Sequence, residues 1–598
     1  MPSEPQAWDL SALYNDPSGI EADILRLGDR CVAFAETYRG RLAKLSGSDM
    51  VKCLSAYGEI GEIAGRVMSY LGLRSYSDTR DGEALQLMRK TQIRVGAVTE
   101  PLICLSLEIT QLTDDRIAAL VAEEPDLNRF VALLDQMRML APYQLTEEDE
   151  LSLHRDAEQQ NLLRQDFDNR MGTLQVELNY PSFDDETLGL EQALNRLTAP
   201  EAQVRKAALD GVSASLAARG DALFEISRGL IQSKAREDAK SGFSRPDASR
   251  LLSQQVEPEW IDTLMATVES GYQRTTHRYY ELKGKWLGGT RLGYQDRNAP
   301  LPTNGPTFTY REAVGIVHET FVSLSPHLGQ LVRQFFTSHW VDARPVEYRV
   351  PGAFAHPTVT SAHPFVHTHF YGGSRDVVNL SGMMGHGILQ TLGQKNGPLL
   401  GSQPLCFSNA VASFFETLVT EHRMLCSPDG ERPVLTAEFL EDRLNTIERQ
   451  AMFFRFEQEM HRLVISGCDI TVRDVNALWI AKQKDVLGPE VEVPEAAGWL
   501  WSYIPHFVQS PFTTVTYAFG GLLASVMYAA YLEEREAHSS RFVDRLLAAM
   551  EAGGTVSFAE TVGILEIDPT VPTTWKTGVD VSAAIIDTLK GQNFEVRS

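Results

Sequence analysis

The chain has 598 residues, 43% of them apolar, with 55 Lys and Arg against 79 Asp and Glu and a net charge of −24. That length allows about four domains at ~150 residues each, and the apolar share excludes a fibrous or wholly disordered chain. So acidic a balance excludes nucleic acid or an anionic membrane as the main partner, since both need a basic face.

Met1 to Asp9 is polar and acidic with no apolar core behind it, so no signal peptide is expected. Leu27, Cys31, Phe34, Tyr38, Leu42 and Leu45 recur at steps of three and four and are expected on one helix face. Glu147 to Gln160 is dense in charge and predicts a solvated helix or loop. Pro181 and Pro200 punctuate helical patterns, which places a boundary near residue 195, between an N-terminal helical region (1–195) and a second region (196–598). Ala313, Val317, Phe321 and Leu324 repeat the helical spacing.

Strand signal concentrates in Ala353 to Tyr371, where Phe354, Val359, Phe365, Val366, Phe370 and Tyr371 stand among Pro, Gly and Ser. Gly372 and Gly373 end that stretch, and Asp376 is expected to cap a helix from about Val377 to Gln394. The most apolar late stretch, Gly520 to Leu532, is too short to span a bilayer. The six cysteines (Cys31, Cys53, Cys104, Cys406, Cys426, Cys468) form no C-x-x-C pair, which predicts buried thiols in a reducing compartment. A cytoplasmic protein is expected.

The segment Pro351 to Gly387, "PGAFAHPTVTSAHPFVHTHFYGGSRDVVNLSGMMGHG", resembles the active-site region of the oligoendopeptidase F / thimet oligopeptidase family of zinc metallopeptidases. "WDLSALY" (Trp8 to Tyr14), "KGKWLGG…YQDRNAPL" (Lys283 to Leu301) and "WSYIPHFVQSPFTTVTYAFG" (Trp501 to Gly520) resemble further landmarks of that family, in the same order. The resemblance implies a mainly α, elongated zincin-like fold. It further implies a deep central channel and a small β-sheet beside the active-site helix.

A zincin needs two histidines one helical turn apart, which point to one side and share a zinc. A glutamate after the first histidine serves as base on the metal-bound water, and a later glutamate completes the ligands. By the resemblance, the first histidine falls on Gly382, the base on Met383, the second histidine on His386 and the later glutamate on Asn409. Glu416 matches a downstream glutamate that supports the ligands from behind. One imidazole and one amide make a poor zinc site, and a thioether takes no proton. Without a metal, the same helix is a packed element with a Met-Met core contact. His506 and Tyr517 match substrate-binding positions, while Thr513 and Val515 stand where tyrosines are usual; phenols there would stabilise an oxyanion. His363 and His356 are family-typical, structural or substrate-facing.

One feature cuts the other way. His367 and His369 stand where Leu and Asn are typical. An H-x-H in a strand points both rings to one face, so a rebuilt three-histidine site of His367, His369 and His386 is one expectation. The other is that these histidines hydrogen-bond in an acidic cleft. Two functions follow. The first is a catalytically degenerate pseudopeptidase that binds a peptide, or a partner protein such as an active paralogous peptidase subunit in a heterodimer. The second is a repurposed metal-dependent enzyme acting on a peptide-like substrate through His367, His369 and His386. No zinc is expected at the family position; a divalent metal would belong to the rebuilt site.

Overall fold

The computed structural model describes residues 2–145, 147–182, 184–301 and 307–592, with the side chains of 147–158 outside that description. Helices dominate, as the apolar spacing predicts. The chain folds into two compact units, each assembled from three stretches. Met1–Ala141, Pro306–Cys426 and Ala530–Asp568 form the first, and Pro142–Gly305, Ser427–Ala529 and Pro569–Ser598 the second.

In the first unit the helix Ile20–Tyr38 buries Ile20, Ile24, Leu27, Cys31 and Phe34. It stops earlier than the apolar spacing suggests. Gly40 turns the chain with φ +74°, and Leu42 lies in a separate short turn, Leu42–Lys44. The Glu108 carboxylate accepts from Gly40 N–H (2.6 Å) and Leu42 N–H (3.1 Å), giving partners to donors that the break would strand. Leu42 still reaches the core that holds Leu27, Cys31 and Phe34.

The expected strands form a three-stranded sheet of β1 (Val341–Asp342), β2 (Phe354–His356) and β3 (Phe365–His367). β3 is central, parallel to β1 and antiparallel to β2, with Val366 opposite both Val341 and Ala355. Trp8, from the N-terminal landmark, packs against Phe365 and donates its indole N–H to Val366 O at 2.9 Å. The loop between β2 and β3 is pinned by the Glu62 carboxylate, which accepts from Thr360 N–H, Thr360 Oγ1 and Ser361 N–H.

Helix α1 (Ser374–Gly393) follows the sheet. Asp376 does cap it, but from inside the first turn: its carboxylate accepts from Gly373 N–H and Tyr371 N–H, so the helix begins at Ser374 rather than near Val377. α1 packs on α2 (Leu405–Cys426). Their close approach depends on Gly385, where a Cβ would stand 2.9 Å from the Phe415 ring and 3.2 Å from the Ala412 backbone. The Phe415 ring in turn stacks on Phe321, centroids 4.1 Å apart.

In the second unit the charged segment lies in the helix Glu147–Gly172. The Lys283 landmark is buried and ion-paired with Glu441, which also accepts from Tyr279 Oη. Asp296 of the same landmark pairs with the buried Arg205. Removing one member of such a pair strands a charge in the interior. The unit also holds α3 (Glu448–Ile465), the short α4 (His506–Gln509) and α5 (Thr514–Glu536), which runs on into the first unit.

The apolar stretch near Gly520 belongs to a longer helix than expected. α5 is the one straight helix among the described residues long and apolar enough to cross a membrane, and 67% of its apolar window is buried inside the protein. All six cysteines are free; Cys426 and Cys468 are exposed rather than buried, because each lies at or beyond a helix end.

Candidate functional site

α1 presents Gly382, Met383 and His386 on adjoining turns, and α2 presents Ser408, Asn409 and Glu416 opposite them. His386 is partly buried and its Nδ1 lies 2.6 Å from Ser408 Oγ. Burial pushes its pKa down to about 4, so the ring is neutral at pH 7. Asn409 is buried, and Met383 is half-buried. The space beside Gly382 belongs to Glu416: a Cβ on that glycine would stand 2.2 Å from Glu416 Oε1 and 2.9 Å from its carboxyl carbon.

Zinc requires three convergent donors, each deprotonated and free to turn to the metal. His386, Asn409 and Gly382 supply one imidazole, an amide and a glycine whose side-chain space is taken by a carboxylate. Among the described residues no group of three or more His, Cys, Asp or Glu is placed to hold a metal ion. These residues do not fit a tetrahedral zinc site.

The three histidines expected to form a rebuilt site, His367, His369 and His386, are not gathered into a metal-holding group among the described residues. His367 ends β3, is fully buried, and has both ring nitrogens engaged. Nδ1 accepts from Arg349 Nη2 at 2.6 Å and Nε2 donates to Val350 O at 2.8 Å. Phe354 stacks on the ring at 4.7 Å. Burial first, and the Arg349 cation second, push the His367 pKa down to about 4. Arg349 is itself buried beside Asp342 and donates to Asp342 O and Thr368 O. This polar network engages both ring nitrogens of His367 and leaves no lone pair there for a metal, although Arg349 Nε is buried without a hydrogen-bond partner among the described residues. His369 lies beyond the strand end, edge-on to His367 at 5.1 Å and parallel to Tyr371.

His363 stacks on Trp340 at 3.9 Å and donates from Nδ1 to Pro364 O, with its pKa lowered by burial. His356 Nδ1 accepts from Thr358 N–H.

In the second unit His506 and Tyr517 come together, ring centroids 5.8 Å apart and nearly perpendicular. Burial lowers the His506 pKa and raises that of Tyr517, so both are neutral near pH 7. The pair presents an imidazole and a phenol from α4 and α5, suited to hydrogen-bond a peptide backbone. Thr513 and Val515 are buried.

Sequence reasoning missed three residues that shape these places: Arg349, Ser408 and Glu457, a buried carboxyl group on α3. None lies in a spaced motif.

A sequence model of the family described as Oligopeptidase F matches residues 108–158. The chain is 21% identical over 537 residues to the group B oligopeptidase PepB of Streptococcus agalactiae, covering 89% of this chain and 88% of that protein. It is 22% identical over 582 residues to an oligoendopeptidase F homolog of Lactococcus lactis, covering 95% and 94%. Among solved structures, a putative peptidase from Chlamydophila abortus superposes with a TM-score of 0.82 at 17% identity, over 98% of this chain and 97% of that one. Oligoendopeptidase-F from Enterococcus faecium superposes with a TM-score of 0.72 at 18% identity, over 95% and 98%. The ordered landmarks and these nearly full-length likenesses make the chain similar in sequence to oligoendopeptidase F proteins, and its mainly helical fold with small sheets is the fold of their solved structures.

Proposed function

We propose that this protein is a catalytically degenerate member of its family, a cytoplasmic pseudopeptidase that binds a peptide or a partner protein. The observation that carries the reading is the Glu416 carboxylate standing where a side chain on Gly382 would go. A first zinc ligand is absent there, and its space is already filled. The base position, Met383, holds a thioether that accepts no proton from water. Loss of a general base alone costs about 10²–10⁴-fold in rate. His506 and Tyr517 supply the peptide-facing groups. An active paralogous peptidase subunit is the proposed protein partner, by analogy with families in which an inactive copy completes a heterodimer.

The test is metal content of the purified protein by mass spectrometry, run beside a zinc-dependent relative. Cleavage and anisotropy binding of a fluorescein-labelled octapeptide library are measured on the same sample. Far less than one equivalent of zinc, no cleavage and saturable peptide binding are expected. Near-stoichiometric zinc together with cleavage that a chelator abolishes would overturn the reading.

A further inference from the structure

The turn between α4 and α5 is held in an uncommon way. Phe512 has φ +61°, the left-handed region that a bulky residue rarely adopts, and it is completely buried. Such a conformation persists only when its surroundings over-determine it. Two side chains do so here. Glu457 Oε1 accepts from Phe512 N–H at 2.9 Å, and Arg250 Nε donates to Pro511 O at 3.1 Å. The Phe512 ring lies 4.7 Å from the His461 ring and 5.9 Å from the Phe454 ring.

Glu457 is an expensive residue to place here. It is 2% exposed, and its second oxygen is buried without a hydrogen-bond partner among the described residues. The charged groups around it are committed elsewhere. Lys234 is bound by Asp238 and Ser249, while Asp247 is held by Arg245 and Gln458. His461, one turn along α3, has its pKa pushed down to about 3 by burial first and by Lys234 second. Burial raises the Glu457 pKa to about 8, with Asp247 adding to the rise and the Phe512 N–H, Arg250 and Lys234 opposing it. Among the described residues, the one hydrogen bond of this buried carboxyl goes to the residue that sets the turn.

We propose that Glu457 is a positioning residue: by accepting the Phe512 N–H it pins the left-handed turn, and so sets His506 against Tyr517. His506 lies six residues before Phe512 and Tyr517 five after it. The turn fixes the relation between the short α4 and the long α5, hence the 5.8 Å perpendicular contact of the two rings. The inference rests on the reading of that pair as the peptide-contacting groups, and the test separates the two claims.

The test compares Glu457→Ala and Glu457→Gln in the full chain by two readouts. One is the imidazole titration of His506, followed by NMR in histidine-labelled protein and assigned with His506→Gln. The other is anisotropy of the fluorescein-labelled octapeptide library. Glu457→Ala is expected to move the His506 pKa up towards its ordinary value and to weaken peptide binding about tenfold. Glu457→Gln, which keeps an acceptor for Phe512 N–H, is expected to retain both properties at pH 7. If Glu457→Ala folds and His506 titrates as in the wild type, the proposal is overturned. Should Glu457→Ala not fold, Arg250→Leu removes the other clamp from a half-buried position; an unchanged His506 titration in that variant overturns the proposal equally. Absence of peptide binding by the wild type, with the His506 shift still seen in Glu457→Ala, sinks the functional reading and supports the positioning role.

Discussion

Glu416 and Gly382 share one volume: the carboxylate of the first fills the space a side chain on the second would need, with Oε1 2.2 Å from the position of a Cβ. Alanine is favoured over glycine inside a helix by about 1 kcal/mol, so a free site would gain from Gly382→Ala. Here Glu416 must first swing aside. Gly382→Ala is therefore expected to be neutral or destabilising in the wild type, and stabilising by up to about 1 kcal/mol in a Glu416→Ala background. Urea unfolding of the four proteins gives the coupling; additive effects would show that the two residues do not compete.

The same relationship governs any attempt to rebuild the metal site. Gly382→His, Met383→Glu and Asn409→Glu restore the family's donors, but the new imidazole at 382 needs the room that Glu416 holds. The triple variant is expected to bind zinc weakly. Adding Glu416→Ala, which vacates that room, is expected to tighten binding in calorimetric titration. A quadruple variant that folds and takes up no zinc would mean that these positions do not correspond to the family's ligands.

His367 is expected to be a stability residue. His367→Ala removes one of the two acceptors of Arg349 Nη2 and the ring donor to the Val350 carbonyl and opens a hole under Phe354, which together should cost about 2–4 kcal/mol. His369→Ala, at a half-buried ring beyond the strand end, should cost about 1 kcal/mol or less. Denaturant melts check both. A His367→Ala variant of wild-type stability that has lost a bound metal would restore the three-histidine site.

The spacing of Ile20 to Phe34, the strands on either side of the Thr358 to His363 loop and the helix through His386 follow local rules, and all are present. The end of the first helix at Tyr38 was hidden because Leu42 keeps the apolar rhythm, while the break depends on Gly40 and on a carboxylate 68 residues later. The H-x-H pattern predicts two rings on one strand face, but the strand stops at His367, and the partner of that ring, Arg349, arrives from 18 residues before it. The resemblance singles out Glu416, but its approach to Gly382 depends on the register of two helices, which no spacing within either one reveals.

Five buried groups set opposing pH dependences. His367 and His386 have pKa values pushed down to about 4 and His461 to about 3. In each the unfolded chain binds a proton below about pH 6.5 that the folded chain refuses. The stability they contribute is fully present above about 6.5 and is lost as pH falls through the folded values. Glu448 and Glu457 run the other way, with pKa values raised to about 7 and about 8 by burial. Their folded forms keep a proton that the unfolded chain releases above about pH 4.5. Stability from these two falls as pH rises from there to about 8. Between 4.5 and 6.5 three histidines outweigh two glutamates, and above 6.5 only the glutamates remain. Stability from these groups should therefore peak near pH 6.5 and decline towards pH 8. Glu457→Gln, which carries no charge to release, should flatten the alkaline limb in urea unfolding at stepped pH. An alkaline limb unchanged in that variant would assign the decline to other groups.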